Sequence, residues 1–297
     1  MTGIKKIFKV FFYCTGVSSL NLIMQVIAVI PLAVFIMLVH IGPSLLSGDP
    51  GAFLTFDVEG YTRIILLPAV LLAGFLTFGT VWLIHVLFKK PFFERLSFKK
   101  TPLLFIAVSF IIGCSMQLPI NFILYQIEKA GIAPDLFEQY AKIIEPLMVD
   151  QNLVMMILAV GILTPILEEI VFRGLVFHQL RKNIPIVPAV ILQALLFGLV
   201  HMNLIQGAYA FALGILMALT MIWSRSLLLP IAIHIGMNLS AVLLSEFGKG
   251  ISDLAGNIML LISCILIPAG MVFLYLKTKK NQYASDKEDP AELKETL

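Results

Sequence analysis

The chain has 297 residues, 59% of them hydrophobic and 13% charged, with a mean hydropathy of +0.97. A soluble globular domain carries roughly 45–50% apolar and about 25% charged residues, so an ordinary soluble enzyme is excluded and the bilayer is the natural solvent. The formal net charge of +3 is too small to indicate a nucleic-acid partner.

Residues 1–19 place Lys5, Lys6 and Lys9 among Ile4, Ile7, Phe8, Phe11 and Phe12, the make-up of an interfacial basic helix at the cytoplasmic surface. The apolar run that follows is too long for a signal-peptide core and lacks a small-residue cleavage pattern, so retention is expected. A membrane-spanning helix needs about 20 mainly apolar residues. Candidate runs occur at 21–46, 64–88, 102–127, 153–180, 185–203, 206–224, 227–247 and 253–276. The predicted fold is therefore all-α, a polytopic membrane bundle of about eight transmembrane helices. N-terminal helices and an amphipathic connection (128–150) fill 1–149, core helices 150–250, a last span 251–280 and a polar, disordered cytoplasmic tail 281–297. The three cysteines, Cys14, Cys114 and Cys264, are far apart and are expected to be buried thiols without metal or redox spacing.

Loop charges give the orientation. With the N-terminus inside, inner segments carry Lys5, Lys6, Lys9, Lys89, Lys90, Arg95, Lys99, Lys100, Arg181, Lys182, Arg225, Lys277, Lys279, Lys280, Lys287 and Lys294, sixteen in all. Outer segments carry four: Arg63, Lys129, Lys142 and Lys249. Basic residues concentrate on the cytoplasmic side, so a multi-pass protein of the cell membrane with both termini cytoplasmic is expected.

The informative residues are those the bilayer disfavours. Aspartates fall in loops or at helix ends, and among glutamates only Glu168 and Glu169 lie well inside a span, in GILTPILEEIVFRGLVF. A charge near the bilayer centre costs roughly 2.5–3.5 kcal/mol, so such residues mark function by default. Glu169 and Arg173 are at i and i+4 in the favourable order and read as an ion pair. Glu168, rotated about 100° around the helix, has no such partner on its own helix and suits general-base work. Pro165, just upstream, is expected to kink the helix and free a carbonyl near the site.

Of the five histidines, His40, His85 and His178 sit near helix ends, where interfacial placement is ordinary. His201, four residues after Phe197, and His234, four before Asn238, are embedded in apolar spans. At about 1.5 Å rise per residue, Glu168, His201 and His234 lie about 20, 24 and 14 Å from the inner helix ends. Tilt and proline kinks can close that spread, giving an expected meeting point in the middle-to-inner membrane.

The ordered elements Glu168-Glu169-x-x-x-Arg173, Phe197-x-x-x-His201 and His234-x-x-x-Asn238 resemble the CPBP family, which takes in type II CAAX-prenyl endopeptidases and the bacterial Abi and bacteriocin-processing relatives. The resemblance covers roughly residues 150–245 and departs at no motif position; helices one to three carry no such signal. It implies an intramembrane endopeptidase acting on a membrane-associated polypeptide, its site inside the bundle and open to the cytoplasm. By position, Glu168 would activate water assisted by His201, His234 and Asn238 would face the oxyanion, and Glu169 with Arg173 would hold the helix. A bound zinc is the alternative, with Glu168, His201 and His234 as its ligands and an open fourth position; without an HExxH motif, glutamate chemistry with no cofactor is favoured. No pair of deep aspartates suggests an aspartyl protease, and Ser47-Gly48 in an outer loop is no rhomboid-type nucleophile. A non-catalytic immunity or regulatory factor of the same fold and a proton relay are the competing readings; the relay is disfavoured because the deep ionisable residues crowd three spans of one half.

Overall fold

A computed structural model describes residues 3–40, 58–90 and 92–288. Nine helices and no strand occur among them: α1 (Gly3–His40), α2 (Val58–Leu87), α3 (Leu103–Lys129), α4 (Pro134–Met148), α5 (Leu153–Arg181), α6 (Ile186–Leu199), α7 (Leu204–Ser224), α8 (Leu228–Phe247) and α9 (Asp253–Glu288). Seven are long and apolar enough to cross a membrane. The chain is an all-α polytopic membrane bundle. Helices are what such runs must form, because hydrocarbon offers no partner to an unpaired backbone amide.

Two expectations shift. The basic N-terminal segment does not form a helix separate from the first span; both belong to the continuous α1. The expected fifth span, 185–203, shrinks to the 14 residues of α6, about 21 Å against a hydrocarbon core of about 30 Å. It stops early because the chain turns back at Met202, which takes a positive φ of 53°. Asn203 then accepts the Gln206 amide at 3.0 Å and starts α7. The predicted polar tail begins as a continuation of α9 to Glu288, and residues 289–297 lie outside the described residues.

Helix packing uses small residues, as expected where lipid is as apolar as the side chains. A side chain at Gly113 of α3 would collide with the Ile233 carbonyl oxygen of α8, and one at Gly236 of α8 with the Phe110 carbonyl of α3. Gly198 of α6 and Gly207 of α7 face each other the same way, a Cβ at 198 lying 2.6 Å from the Gly207 carbonyl oxygen. The inner helices α5 and α8 are thereby enclosed, while α1 and α9 show long apolar faces outward, including Ile23, Val26, Phe35, Leu261 and Ile265. Cys264 is on that outer face of α9 rather than buried; Cys14 is buried as expected.

The ends of the bundle are tied separately. At one end, the loop carrying Lys99 meets the α7–α8 turn: Leu227 donates its amide to the Ser97 carbonyl (3.2 Å), Thr101 donates to Ser226 Oγ (2.9 Å), and Ser226 donates to the Lys99 carbonyl (3.1 Å). At the other, Arg63 pairs with Asp150 at 3.3 Å and Gln151 donates to the carbonyls of Arg63 (3.0 Å) and Pro146 (2.8 Å). The amphipathic α4 lies at this second end with Phe137 buried and Lys142 turned out to Glu138. That ammonium, hydrogen-bonded to Glu138, holds the Glu138 carboxyl below the usual carboxylate range.

α5 is irregular in a way that matters for the site. Its segments Ile157–Leu163 and Ile170–Phe177 are wound as wider π-helical turns, and Thr164–Glu169 between them is α-helical. Such insertions gather at functional sites. Here they bracket the two glutamates.

Candidate active site

Pro165 determines the local geometry. In the wide register the Thr164 amide reaches back five residues to the Ala159 carbonyl. The next amide in that register would bond Val160, but proline has none. The orphaned Val160 carbonyl is instead met by α8, where Asn238 donates from Nδ2 at 3.0 Å. The freed carbonyl expected from the sequence is therefore present, and it fixes one of the candidate residues. Asn238 retains a second N–H for other use.

Glu169 occupies the dry side of α5. Its side chain and that of Arg173 have no exposure, and their Oε1–Nη1 distance is 2.7 Å. The same Oε1 accepts from Nδ1 of His234 at 2.8 Å. Arg173 also lies over the Phe197 ring, 4.4 Å from its centroid, a cation–π contact strengthened by desolvation. Phe197 in turn presents itself to His201 and His234 in edge-on contacts at 5.1 and 5.8 Å between ring centroids. One aromatic ring thus joins all three sequence elements.

Glu168 occupies the other side, with 19% of its side chain exposed, and its Oε2 is 3.7 Å from His234 Nε2. That separation is too long for a direct hydrogen bond. His201 anchors Nδ1 on the Phe197 carbonyl at 2.8 Å. Because a carbonyl accepts, Nδ1 carries the proton and Nε2 of the neutral ring remains an acceptor. By the same reasoning His234 gives its Nδ1 proton to Glu169, leaving Nε2 toward Glu168.

Glu168, His201, His234 and Asn238 all line one cavity of about 360 Å³. The four residues singled out in the sequence are brought together, and Glu169 and Arg173 stand behind them. The cavity contains residues the sequence reading missed. Asn21 and Gln25 reach it from α1, and Thr164, Gln206 and Tyr209 from α5 and α7. Asn21 and Gln25 also border a smaller void of about 40 Å³ against Glu168, where Asn21 Oδ1 accepts from Thr77 at 3.3 Å. Their spacing of four on one helix was the available signal. An amide in a span is cheap enough to escape notice.

The structure adds detail to three expectations. The cavity runs from the middle of the bundle, at Glu168 and His234, toward one end. It extends to Ile143 and Leu147 of α4 and to Met202 at the α6–α7 turn, the end opposite the cationic loops. Consequently an opening to the cytoplasm and cationic loops in the cytoplasm do not both hold. His85, in the last turn of α2 as expected, is buried there, with Nδ1 2.8 Å from the Val81 carbonyl and Nε2 3.3 Å from the Tyr13 hydroxyl. The His40 side chain lies outside the described residues. Of the zinc alternative's ligands, Glu168, His201 and His234 line the cavity together, and among the described residues no group of three His, Cys, Asp or Glu is placed closely enough to hold a metal ion without rearrangement.

The chemistry this arrangement offers is hydrolytic. A carboxylate with partial water access lies 3.7 Å from an imidazole with the cavity beside both, and a second imidazole and an amide line the same walls. A family model matches the region that carries these residues. Residues 150–240 match the family described as Type II CAAX prenyl endopeptidase Rce1-like. The chain is 28% identical over 98 residues to the membrane-embedded CAAX protease MroQ of Staphylococcus aureus (strain USA300), covering 31% of this chain and 40% of that protein. It is 32% identical over 94 residues to YdiL of Bacillus subtilis (strain 168), covering 32% of this chain and 38% of the relative. The chain thus spans about two fifths of the length of the curated relatives it matches. No solved structure matches it significantly.

Proposed function

We propose that this multi-pass membrane protein, whose residues 150–240 belong with the CPBP family of membrane proteases, is an endopeptidase that hydrolyses a peptide bond of a membrane-associated polypeptide. The observation that carries the reading is the common cavity: Glu168, His201, His234 and Asn238 line it together, and Glu168 is the deep carboxylate without an ion pair to Arg173.

In this mechanism Glu168 takes a proton from water while His201 Nε2 accepts from the same water and holds it. The resulting hydroxide attacks the scissile carbonyl carbon. Charge moves to the carbonyl oxygen, which sits against His234 Nε2 and the free N–H of Asn238. With Nδ1 committed to Glu169, the His234 ring is held facing that oxygen, and the N–H of Asn238 donates to it. The C–N bond then breaks as Glu168 returns its proton to the departing amine, leaving a carboxylic acid and an amine. Donors aimed at a developing oxyanion in a water-poor site are the strongest contribution such a cavity can make. Base catalysis by Glu168 contributes about 10²–10⁴-fold.

In this reading the chemistry runs on glutamate without a metal, the chain having no HExxH motif to supply zinc ligands and a separate base. The test is reconstitution. Purified protein in lipid nanodiscs should cleave a single-span reporter carrying a randomised juxtamembrane stretch, with products read by mass spectrometry, and chelator treatment should leave the rate unchanged. Cleavage lost on chelation and restored by zinc would replace the glutamate mechanism. A reporter library left intact by the wild-type protein would remove the enzyme reading.

A further inference from the structure

The cavity and the basic residues lie at opposite ends of the bundle. Lys89, Lys90, Lys99, Lys100, Arg181, Lys182 and Arg225 fall at the end where α2, α5 and α7 finish and α3, α6 and α8 begin. The cavity instead reaches Ile143 and Leu147 of α4 and Met202 of the α6–α7 turn. Ile143 and Met202 are both exposed at the surface, so the cavity opens at that second end. Toward the cationic end it is closed: the 8 residues Ile170–Phe177, directly after the glutamates, are all buried. They pack with Phe92 and Leu96 of the loop that precedes α3. A polypeptide approaching from the cationic end would meet core.

The second end has the opposite charge balance. Arg63 is paired with Asp150 and Lys142 with Glu138, and exposed Lys129 and Lys249 are outnumbered by exposed Glu128, Asp135, Glu145, Glu246 and Asp253. Lysine and arginine in short loops are retained on the cytoplasmic side, whereas acidic residues contribute little to orientation.

We infer that the cavity holding Glu168 opens on the extracytoplasmic face, so that the endopeptidase acts on the outward membrane-proximal stretch of an exported, membrane-tethered polypeptide rather than on a cytoplasmic tail. The substrate class rests on the hydrolase reading above; the orientation does not. The exposed end explains how a water-requiring reaction is supplied in a bundle otherwise sealed by apolar side chains. It also accounts for α4, whose buried Phe137 and cavity-lining Ile143 and Leu147 make it the wall at which a chain from outside would arrive.

Two arms test this. In a background with Cys14, Cys114 and Cys264 replaced by serine, single cysteines are placed at Ile132→Cys, at the cavity end, and Phe98→Cys, at the cationic end; both positions are exposed. A membrane-impermeant maleimide should label Ile132→Cys in intact cells and Phe98→Cys only after permeabilisation. Labelling of Phe98→Cys in intact cells, or failure of Ile132→Cys to label there while it labels in detergent, overturns the orientation. In the second arm, single-span reporters carry a randomised juxtamembrane stretch on the outer or the inner side. Cleavage of the outer reporter alone, abolished by Glu168→Gln, is the expected result. Cleavage of the inner reporter alone overturns the substrate class while leaving the hydrolase standing. If neither reporter is cut, the hydrolase reading and the substrate class fall together, and the labelling still decides the orientation.

Discussion

On one side of α5 Glu169 is shut away from solvent, its Oε1 shared between Arg173 and His234. On the other side, one residue earlier, Glu168 faces a cavity and meets His234 only across 3.7 Å. The same carboxylate chemistry is thus placed in two settings about 100° apart on one helix. Where both charges are paired, a buried carboxylate becomes a structural rivet that orients an imidazole. Where water enters and no cation is bonded, it remains available to accept a proton. The difference lies in what α8 and the cavity supply, and it gives distinct consequences for each side.

The largest stability effect belongs to the dry side. Arg173→Met leaves Glu169 buried without its cation, and breaking such a pair costs about 3–5 kcal/mol. Unfolding in detergent should report that loss, with partial recovery in the double variant Glu169→Gln/Arg173→Met. If the single variant melts like the wild type, the rivet does not exist.

Next come the groups that bridge the two sides. Asn238→Ala removes a proposed oxyanion donor and should lower kcat by about 10²–10³-fold, with KM changed far less. The same substitution uncovers the Val160 carbonyl. Pro165→Ala would return an amide to that carbonyl, so in its background Asn238→Ala should destabilise less, by a coupling of roughly 0.6–1.7 kcal/mol. Simple additivity in this double-mutant cycle would show that proline and asparagine do not share the carbonyl.

Smaller effects are expected at the cavity rim. Asn21→Leu should raise KM several-fold with kcat nearly kept, the pattern of lost uniform binding; a kcat effect equal to that of Asn238→Ala would instead place it at the reacting atoms. Lys142→Ala should do least. It removes the hydrogen bond and charge that lower the Glu138 carboxyl, so that carboxyl should titrate at its ordinary value. The pair stabilises only above the carboxyl's unfolded pKa, and this contribution is lost as pH falls through the lowered folded value. For a fully exposed pair the change in melting should be undetectable at neutral pH, and cleavage should be unchanged.

What could be read from the sequence follows from cost. Glu168, Glu169, Arg173, His201 and His234 stand out because ionisable groups in hydrocarbon are expensive, and an i, i+4 pair is geometrically fixed before any tertiary contact forms. The spans were visible for the same reason, as long runs without charge. Contacts between distant helices were not. Nothing local to Glu169 reveals that His234, 65 residues on, shares its oxygen. Asn21 and Gln25 are uncharged and carried no comparable penalty. The length of α6 was misjudged because Val200, His201 and Met202 extend its apolar run, while a turn at Met202 ends the helix. Counting residues from helix ends gave the depth at which the side chains meet, but it could not register toward which end the cavity extends, because α4 is not part of any span.

The central claim is that residues 168 and 169 have exchanged no duties: one acts on water, the other holds His234. The direct measurement is to compare Glu168→Gln with Glu169→Gln in one preparation, recording turnover of the same reporter and thermal unfolding together. The account predicts that the first loses about 10²–10⁴-fold in rate and unfolds like the wild type, whereas the second unfolds at lower temperature. Wild-type turnover by Glu168→Gln would contradict it.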